Sequence, residues 1–391
     1  MSLHHNPRIV TDGLVFAYDM DNVAKSFKGK PTTNLITSTI DNWSGSSLRN
    51  ATLLNETYKR SAVYRLEVAA GADPATNVDA YYMYNVPNLS EGDVFTFSAD
   101  VRVIQKSTAT SQTSPADNGF WIWFAGSSEH VNFKDLELGK WTNIQVTATV
   151  GSTYDYIWAR IDHDNSIIDI ANIQLEQQPF ATPFVNGTRS NTQALLDMSK
   201  SKNTVTATSL TYRQDDTPTF DGTDDYLNIA PQSIPANSSL SLSVWINTSS
   251  VSASSIIEAE NFVGGRTLNV HIPWSDNTVY FDCGGANSST SYDRITYATT
   301  VEQRTGWHNW VFTKDISANE MRIYADGNLV VFAGNKNIIP GPTQFATIGS
   351  YVNGASNFYN GEISQVKIYD RALTAAEIKQ NFNATRGRFG I

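Results

Sequence analysis

Alternation of apolar and polar residues recurs along this chain and constrains its fold more than any other feature. The clearest runs are SLSLSVWINT (239–248), VFTFSADVRV (94–103) and WTNIQVTATV (141–150). A period of two places every second side chain on the same face of an extended strand, as in half-buried antiparallel sheets. Similar short runs recur between loops rich in Gly, Asn and Ser. The pattern therefore predicts an all-β chain built from antiparallel β-sandwiches.

Two local signals predict a hairpin and a helix near the C-terminus. The segment MRIYADGNLVVF (321–332) has two strand-like runs around Asp326-Gly327, a pair typical of two-residue hairpin turns. Thr374-Ala-Ala-Glu377 has the spacing of a capping box, and Ile378 and Phe382 lie on one face of the helix that follows. We expect this short helix to dock on a sheet.

Composition narrows the function classes. The 391 residues include a single cysteine, Cys283, which excludes a disulfide framework within the chain and a Cys-based zinc site. The net charge of −10, without a basic stripe, argues against nucleic acid as a partner. No apolar run reaches the roughly 18 residues that a membrane span requires, and MSLHHNPRIVTDG at the start does not resemble a signal peptide. We expect folding in a cytoplasm without oxidation, although the polar, Trp-rich composition resembles that of an outward-facing binding protein.

A series of motifs in the C-terminal half resembles the laminin-G-like branch of the concanavalin A-like lectin/glucanase superfamily. The motifs are LLDMSKSKNTVTATSLTY (195–212), FDGTDDYLNI (220–229), SLSVWINT (241–248), GWHNWVFTKD (306–315), MRIYADGNLV (321–330), ATIGSYVNG (346–354) and GEISQVKIYDRALTAAEI (361–378). Each motif is weak alone, but their order and spacing match the family. The resemblance implies a jelly-roll sandwich of two antiparallel sheets.

The opening strand of this family stands far from its continuation. In relatives that look like tailed-phage virion proteins, a DGLVxxxD segment leads directly into the stretch that here reads LLDMSKSKN. In this chain DGLVFAYD lies at 12–19, whereas LLDMSKSKN begins at Leu195. We therefore predict a discontinuous domain (1–33 plus 187–391) interrupted by an inserted jelly roll (34–186). The alternative is an N-terminal arm followed by two tandem domains.

The predicted insert resembles carbohydrate-binding modules and contains a candidate glycan site. Flat aromatic faces suit the C–H surfaces of sugars, while amides and carboxylates bind the hydroxyl groups. The candidate residues are Trp121, Trp123, Trp158, Tyr82, Asp162 and Asp164. Trp121 and Trp123 lie two apart and therefore share one face of a strand; the competing interpretation is that two or more of the three tryptophans are core residues. Four other tryptophans stand at core-like positions of the family and are interpreted as structural: Trp141, Trp245, Trp307 and Trp310.

Clustered aspartates form a candidate metal site. Calcium prefers six to eight oxygen ligands, which carboxylates and loop carbonyls can supply. Laminin-G-like relatives often carry one Ca²⁺ near a sheet rim, so the resemblance implies Ca²⁺ as a cofactor at Asp221, Asp224 and Asp225. The alternative is that these aspartates are solvated turn residues, since Asp221-Gly222 is typical of a turn before a strand.

Glucanases share the predicted fold, but their catalytic strand pattern, Glu-x-Asp-x-x-Glu, does not occur in this sequence. A retaining glycosidase needs two carboxylates about 5–5.5 Å apart. Glu258-Ala259-Glu260 is the nearest approach to the pattern and lacks the middle Asp. Since fold does not imply function, we expect no catalysis.

The resemblance implies a non-enzymatic structural protein on the exterior of a tailed-phage virion: a decoration, fibre or tail-associated protein. Such a protein is made in the host cytoplasm and acts outside it, which explains the lone cysteine and the missing signal peptide together. Its expected partners are other virion proteins, host-surface glycans bound weakly and polyvalently, and further copies of itself. The alternatives are a secreted bacterial surface adhesin, with an extracellular location, and a laminarinase-like hydrolase.

Overall fold

The computed structural model describes residues 8–36, 43–44, 49–68, 80–85, 90–106, 119–124, 127–132, 135–151, 156–161, 167–213 and 218–391. In 43–44, 49–51, 68, 80–85, 119–124, 127–130, 132 and 156–161 the description concerns the backbone.

The chain divides into two compact units. Ser190–Ile391 joins the residues before Thr32 in a discontinuous unit, and Thr32–Arg189 forms an inserted unit. The predicted insert, 34–186, lies within the second of these.

The strands of both units are numbered in chain order. The discontinuous unit begins with β1 (Leu14–Asp19). The inserted unit contains β2 (Thr32–Thr33), β3 (Trp43–Ser44), β4 (Arg49–Tyr58), β5 (Ser61–Val68), β6 (Ala80–Asn85), β7 (Val94–Gln105), β8 (Gly119–Phe124), β9 (Ser127–Asn132), β10 (Trp141–Thr149), β11 (Tyr156–Ile161), β12 (Ile167–Glu176) and β13 (Thr188–Arg189). The discontinuous unit resumes with β14 (Val205–Thr208), β15 (Thr211–Tyr212), β16 (Pro218–Asp221), β17 (Tyr226–Ile229), β18 (Leu240–Thr248), β19 (Ile257–Glu260), β20 (Arg266–His271), β21 (Thr278–Gly284), β22 (Tyr292–Ala298), β23 (Trp307–Asp315), β24 (Glu320–Ala325), β25 (Asn328–Ala333), β26 (Phe345–Ile348) and β27 (Asn360–Tyr369), and it ends with helix α1 (Ala375–Thr385).

The discontinuous unit is a sandwich of two antiparallel sheets. One has eight strands in the order β15-β16-β27-β18-β23-β24-β25, with β1 also paired to β27. The other has seven strands in the order β14-β17-β26-β19-β20-β21-β22. Every second side chain of the central strands enters one shared apolar core, including Leu268 and Phe281 from the seven-stranded sheet and Val244 and Phe312 from the eight-stranded sheet.

The N-terminal strand β1 is an integral part of this sandwich. Tyr18 pairs with Val366 of β27, and the rings of Phe16 and Tyr18 are fully buried in the core. Just after β1, a bridge joins Phe27 to Leu195, the residue at which the sequence motifs resume. The two pieces of the discontinuous unit are therefore in contact close to the points where the chain enters and leaves the inserted unit.

Helix α1 covers the other face of the eight-stranded sheet. Thr374 and Glu377 form the predicted capping box. The Trp245 ring stacks on Phe382 and on Phe389, and its Nε1 donates a 2.9 Å hydrogen bond to Thr385 Oγ1.

The inserted unit also contains two antiparallel five-stranded sheets, ordered β10-β7-β12-β5-β4 and β3-β6-β11-β8-β9. Its apolar core includes Phe97, Val101 and Ile170, and Val131 of β9 packs against it. A short ladder pairs β2 with β13, at Thr33 and Thr188, so the two ends of this unit lie side by side.

The predicted fold class is confirmed: two antiparallel jelly-roll sandwiches, one inserted into the other, with a short C-terminal helix. Of the four tryptophans interpreted as structural, Trp310 lies in the shared core, whereas Trp141 packs outside the core of its unit. Trp141 pairs with Arg102, on the face opposite the core residues Val101 and Val103, and its ring stacks on Tyr58 with 4.2 Å between centroids. Its neighbours in sequence alternate as expected, but the phase of the alternation places Trp141 outside the core.

Across the residues that the structure describes, α1 and the short 3₁₀ turns are all too brief or too polar to traverse a lipid bilayer as a helix.

Candidate functional site

The three candidate tryptophans of the inserted unit occupy backbone positions on one sheet face. Trp123 of β8 pairs with Trp158 of β11, and Trp121 pairs with Arg160, so these positions share a face. Tyr82 of β6 pairs with Ala159, the neighbour of Trp158, and its position is therefore on the opposite face. Asp162 and Asp164 lie outside the described residues. Glycan binding at these residues stays a prediction.

The three aspartates predicted to bind calcium lie together. One carboxylate oxygen from each of Asp221, Asp224 and Asp225 lies within 4.8 Å of the others. Asp225 is fully buried; its Oδ2 accepts hydrogen bonds from the N–H groups of Thr211 and Asp221, at 3.2 and 2.8 Å.

The chemistry of this cluster fits a hard cation. Asp225 Oδ1 is buried and has no hydrogen-bond partner among the described residues, and burial raises the pKa of this carboxyl to about 6. A Ca²⁺ ion held by Asp221, Asp224 and Asp225 would supply the missing partner and favour the ionised form. Calcium binding at this cluster stays a prediction.

A line of paired polar residues crosses the seven-stranded sheet on the face turned away from the core. We call this set the outer-face row; one residue from each of six neighbouring strands contributes to it: Asn228, Thr347, Glu258, Asn269, Asp282 and Arg294. The flanking residues, such as Leu268 and Val270 around Asn269, point into the core. Four members of the row (Thr347, Glu258, Asn269 and Asp282) are nevertheless completely buried.

The centre of the outer-face row has polar atoms without partners. In the described part of the chain, buried atoms with no hydrogen-bond partner include Glu258 Oε1, Thr267 Oγ1, Ser350 Oγ and both Nδ2 and Oδ1 of Asn269. Most buried polar atoms in proteins are paired, because leaving one unpaired costs roughly 1–3 kcal/mol. Five such atoms in and beside one row indicate a binding site for a polar ligand or for ordered water.

Arginines hold one end of the row. Both Arg266 and Arg294 bind the Asp282 carboxylate, Arg294 through Nε at 2.6 Å and Nη2 at 2.8 Å. The guanidinium groups alternate with tyrosine rings in the order Tyr351, Arg266, Tyr292, Arg294, Tyr280, with each cation 4.9–5.7 Å from the adjacent ring centroids. Asp282 is therefore saturated by its partners, and this stack forms a rigid wall.

A loop covers the other end. The 350–354 loop (Ser350–Gly354) follows β26, and the N–H of Asn353 donates a 2.9 Å hydrogen bond to Glu258 Oε2. Burial, and to a lesser extent the nearby Glu260 carboxylate, raise the pKa of Glu258 to about 7 although this N–H opposes the shift. Glu258 therefore exchanges its proton near neutral pH, so it can donate or accept a hydrogen bond.

Aromatic rings lie beside the row. The His271 ring, on the same strand and face as Asn269, packs 4.4 Å from the Trp274 ring and 6.0 Å from that of Tyr351. Its Nδ1 lies 2.9 Å from both Ser255 Oγ and the Ser254 carbonyl oxygen. Burial lowers the pKa of His271 to about 4, so the imidazole is neutral at physiological pH.

The sequence analysis singled out Glu258 as a weak catalytic match and missed the rest of the row. A signal was present: Glu258, Asn269 and Asp282 are each a lone polar residue flanked by apolar ones, in IIEA, TLNV and YFDC. Such flanking indicates a polar side chain in a buried environment. It does not reveal that three separate strands align these residues, because register depends on the assembled sheet.

Comparison with known protein families gives a match to part of the chain. Residues 221–379 match the family model Laminin_G_3, described as the concanavalin A-like lectin/glucanases superfamily. No curated protein matches the chain.

Similar solved structures include binding domains of botulinum neurotoxins. The serotype G binding domain has 13% sequence identity and a TM-score of 0.40, with 49% of this chain aligned to 48% of that one. The binding domain of neurotoxin DC, solved in complex with rat synaptotagmin II, has 18% identity and a TM-score of 0.39, with 50% of each chain aligned. The chain thus spans about half the length of these structures.

The strand order, the shared core and the family match converge on the same stretch of sequence. Residues 221–379, which supply most strands of the discontinuous unit, are therefore similar in sequence to the concanavalin A-like lectin/glucanases superfamily.

Proposed function

We propose that this protein binds carbohydrate without hydrolysing it, and that the outer-face row of the discontinuous unit is the binding site. The observation that carries the proposal is the set of unpaired polar atoms centred on Asn269 and Glu258. Sugar hydroxyl groups both donate and accept hydrogen bonds. They therefore match an amide, which has one donor group and one acceptor atom, and a hydroxyl or carboxyl, which can take either role. Filling these positions would remove the cost of leaving them unpaired.

The surroundings support a sugar over a smaller polar ligand. Binding sites for organic ligands combine aromatic walls with a few placed polar groups. Tyr351 and Tyr292 stand at the Arg266 wall, and His271 with Trp274 lies beside Asn269. The half-buried rings of Trp274 and Tyr351 offer apolar surface for the C–H faces of a pyranose, whereas the Tyr292 ring is stacked between Arg266 and Arg294.

The biological setting that we propose is the exterior of a tailed-phage virion. Its support is the resemblance of the opening DGLVFAYD and its delayed continuation to phage proteins, together with a fold that contains a single, buried cysteine, Cys283. Many copies on a particle would convert weak single sites into firm adhesion. Mass spectrometry of purified particles should find this chain; finding it only in the culture medium of uninfected bacteria would instead support a secreted adhesin.

The binding experiment is a glycan array probed with the full chain and with Asn269→Ala. We expect wild-type binding and at least a tenfold loss in the variant, since the amide would contact the ligand directly. Asn309→Ala is the matched control: this amide is equally buried, but it is on the other sheet and bonds to Ser243 and Val244. Assayed well below its unfolding temperature, the control should bind like wild type. Equal binding by wild type and Asn269→Ala would reject the proposed site.

One observation favours hydrolysis as a second candidate. Glu258 has a pKa of about 7, as a general acid requires, and a second carboxylate, Glu260, lies near enough to influence it. Against it, Asp282 is held by two arginines and cannot serve as a base. Incubation of wild type with a panel of β-glucans and measurement of reducing ends tests this candidate. Activity that disappears in Glu258→Gln, while binding remains, would establish an enzyme.

A further inference from the structure

We infer that the outer-face row binds one sugar residue at the end of a glycan, rather than an internal stretch of a polysaccharide chain. This inference rests on the proposed carbohydrate function and adds the part of the glycan that is recognised. The inference is based on two walls, one at each end of the row, and on a hydrogen bond that joins them.

The first wall is the 350–354 loop. Ser350 is fully buried, its carbonyl accepts a 3.3 Å hydrogen bond from Thr347 Oγ1, and its own unpaired hydroxyl adds to the unpaired atoms of the row. Gly354 packs against the Tyr226 ring so closely that a Cβ there would lie 2.4 Å from a ring carbon. This wall covers the row on the side of Thr347 and Glu258.

The second wall is the stack of arginines and tyrosines bound to Asp282. Glu258 and Asp282 are two strands apart, about 10 Å at the usual spacing of about 4.8 Å between strands. Asn269, with both amide atoms unpaired, stands midway between them. The interval suits a single pyranose ring.

A hydrogen bond joins the two walls. Arg266 Nη2 donates to the Tyr351 hydroxyl at 3.2 Å, and the same Arg266 binds Asp282. A polysaccharide lying along the row would have to pass through this bridge, whereas a terminal residue would lie beneath it. The unpaired atoms have almost no solvent exposure, so the bridge opens to admit a ligand, and it can close again over a terminal residue but not over a chain that continues along the row.

The 350–354 loop has a strained backbone where it covers Glu258. Val352 and Asn353 both adopt left-handed backbone conformations, with φ of 53° and 52°. For a β-branched residue such as Val352 this conformation is rare and strained. Lifting the loop relieves this strain and releases Glu258 Oε2 from Asn353, which makes the carboxyl available to a sugar hydroxyl.

Competition and trimming test the inference with the full chain. Array binding is challenged with the methyl α- and β-glycosides of glucose, galactose, mannose and N-acetylglucosamine, and bound glycans are re-tested after an exoglycosidase has removed their terminal residue. We expect one methyl glycoside to compete and trimming to reduce binding at least tenfold. Binding that depends on Asn269 but survives trimming and is not inhibited by any of these glycosides would overturn the inference and leave the proposed function standing. Absence of glycan binding by wild type would overturn both.

A loop variant tests the bridge itself. Tyr351→Ala removes the contact with Arg266, and we expect it to bind trimmed glycans within threefold of intact ones because no bridge then crosses the row. Phe332→Ala is the matched control, since this exposed ring also stacks on an arginine, Arg322, but belongs to the eight-stranded sheet; it should retain at least tenfold selectivity for the intact terminus. Unchanged end selectivity in a folded Tyr351→Ala protein would count against the bridge.

Discussion

Asn269 and Asn309 are two buried amides with opposite environments, and this contrast predicts their stability effects. Both side chains have 2% exposure or less, but Asn309 Nδ2 donates two hydrogen bonds, whereas both polar atoms of Asn269 are unpaired. Asn309→Ala should destabilise the fold by about 1–3 kcal/mol, while Asn269→Ala should change stability by less than about 1 kcal/mol. Urea unfolding of the three proteins measures this. Equal losses in both variants would show that the Asn269 amide is satisfied by ordered water.

Glu258 should make the protein less stable as the pH rises from 4.5 to above 7. Its pKa rises from 4.5 to about 7 on folding, so the folded state holds a proton that the unfolded state releases between these values. The stabilising contribution is complete below pH 4.5 and is lost as the pH rises through 7, which amounts to about 3 kcal/mol at 1.4 kcal/mol per pKa unit. Relative to Glu258→Gln, wild type should therefore weaken by this amount between pH 4.5 and 8.

The comparison between variants isolates this group. His271, whose pKa is lowered to about 4, shifts stability in the opposite direction below pH 6.5, and Asp225, raised to about 6, shifts it in the same direction as Glu258. Both contributions are common to wild type and Glu258→Gln, so they cancel in the difference. Parallel pH profiles for the two proteins would contradict a protonated Glu258 in the folded state.

Calcium should stabilise the protein through the aspartate cluster. Millimolar CaCl₂ is expected to raise the Tm of wild type by a few degrees, because an ion that binds only the folded state adds its binding free energy to stability. Asp224→Asn removes one exposed ligand without disturbing the bonds of Asp225 and should abolish the shift. Differential scanning fluorimetry with and without EDTA measures this, and an equal shift in the variant would place the ion elsewhere.

At the scale of single elements, helix α1 depends on its N-terminal cap. Thr374 Oγ1 accepts the N–H of Glu377, while Glu377 accepts the N–H of Thr374 and two bonds from Arg371. Thr374→Ala should cost about 1 kcal/mol. Urea unfolding followed by circular dichroism measures the loss. An unchanged unfolding midpoint would show that packing alone holds α1.

The same helix should loosen in acid. The Arg371 guanidinium lowers the pKa of Glu377 to about 2. A depressed carboxyl pKa contributes stability that is present above its unfolded value of 4.5 and is lost as the pH falls towards 2. The acid transition followed by circular dichroism should therefore begin at a higher pH in Arg371→Met than in wild type.

Short elements were also the most predictable from sequence. The hairpin predicted at Asp326-Gly327 joins β24 to β25, and both turn residues have positive φ, as this type of turn requires. The capping box at Thr374 is likewise present. Both signals depend on residues within one turn of each other, so nothing distant can override them.

At the scale of the whole molecule, the insertion predicts that the discontinuous unit folds alone. Lys28 N–H bonds to the Ala194 carbonyl at 2.8 Å, so the two chain ends left by removal of 32–189 lie side by side. Joining Pro31 to Ser190 by a short Gly-Ser loop should give a protein that unfolds cooperatively, with its Tm changed by no more than about 4 °C, or about 1 kcal/mol. Calorimetry tests this, and glycan binding that still depends on Asn269 would confirm that the site is self-contained.

The sequence by itself determined the strand periodicity, the hairpin, the helix cap, the fold class and the interrupted order of the motifs, because each of these is encoded in local spacing or linear order. It also placed Asp221, Asp224 and Asp225 together, since they are neighbours in the chain. Only the tertiary structure decided that Trp141 lies outside the core and that Glu258, Asn269 and Asp282 form one row beneath a loop from residues 350–354. Those residues come from different strands, and a shift of one residue in register would turn each side chain to the opposite face.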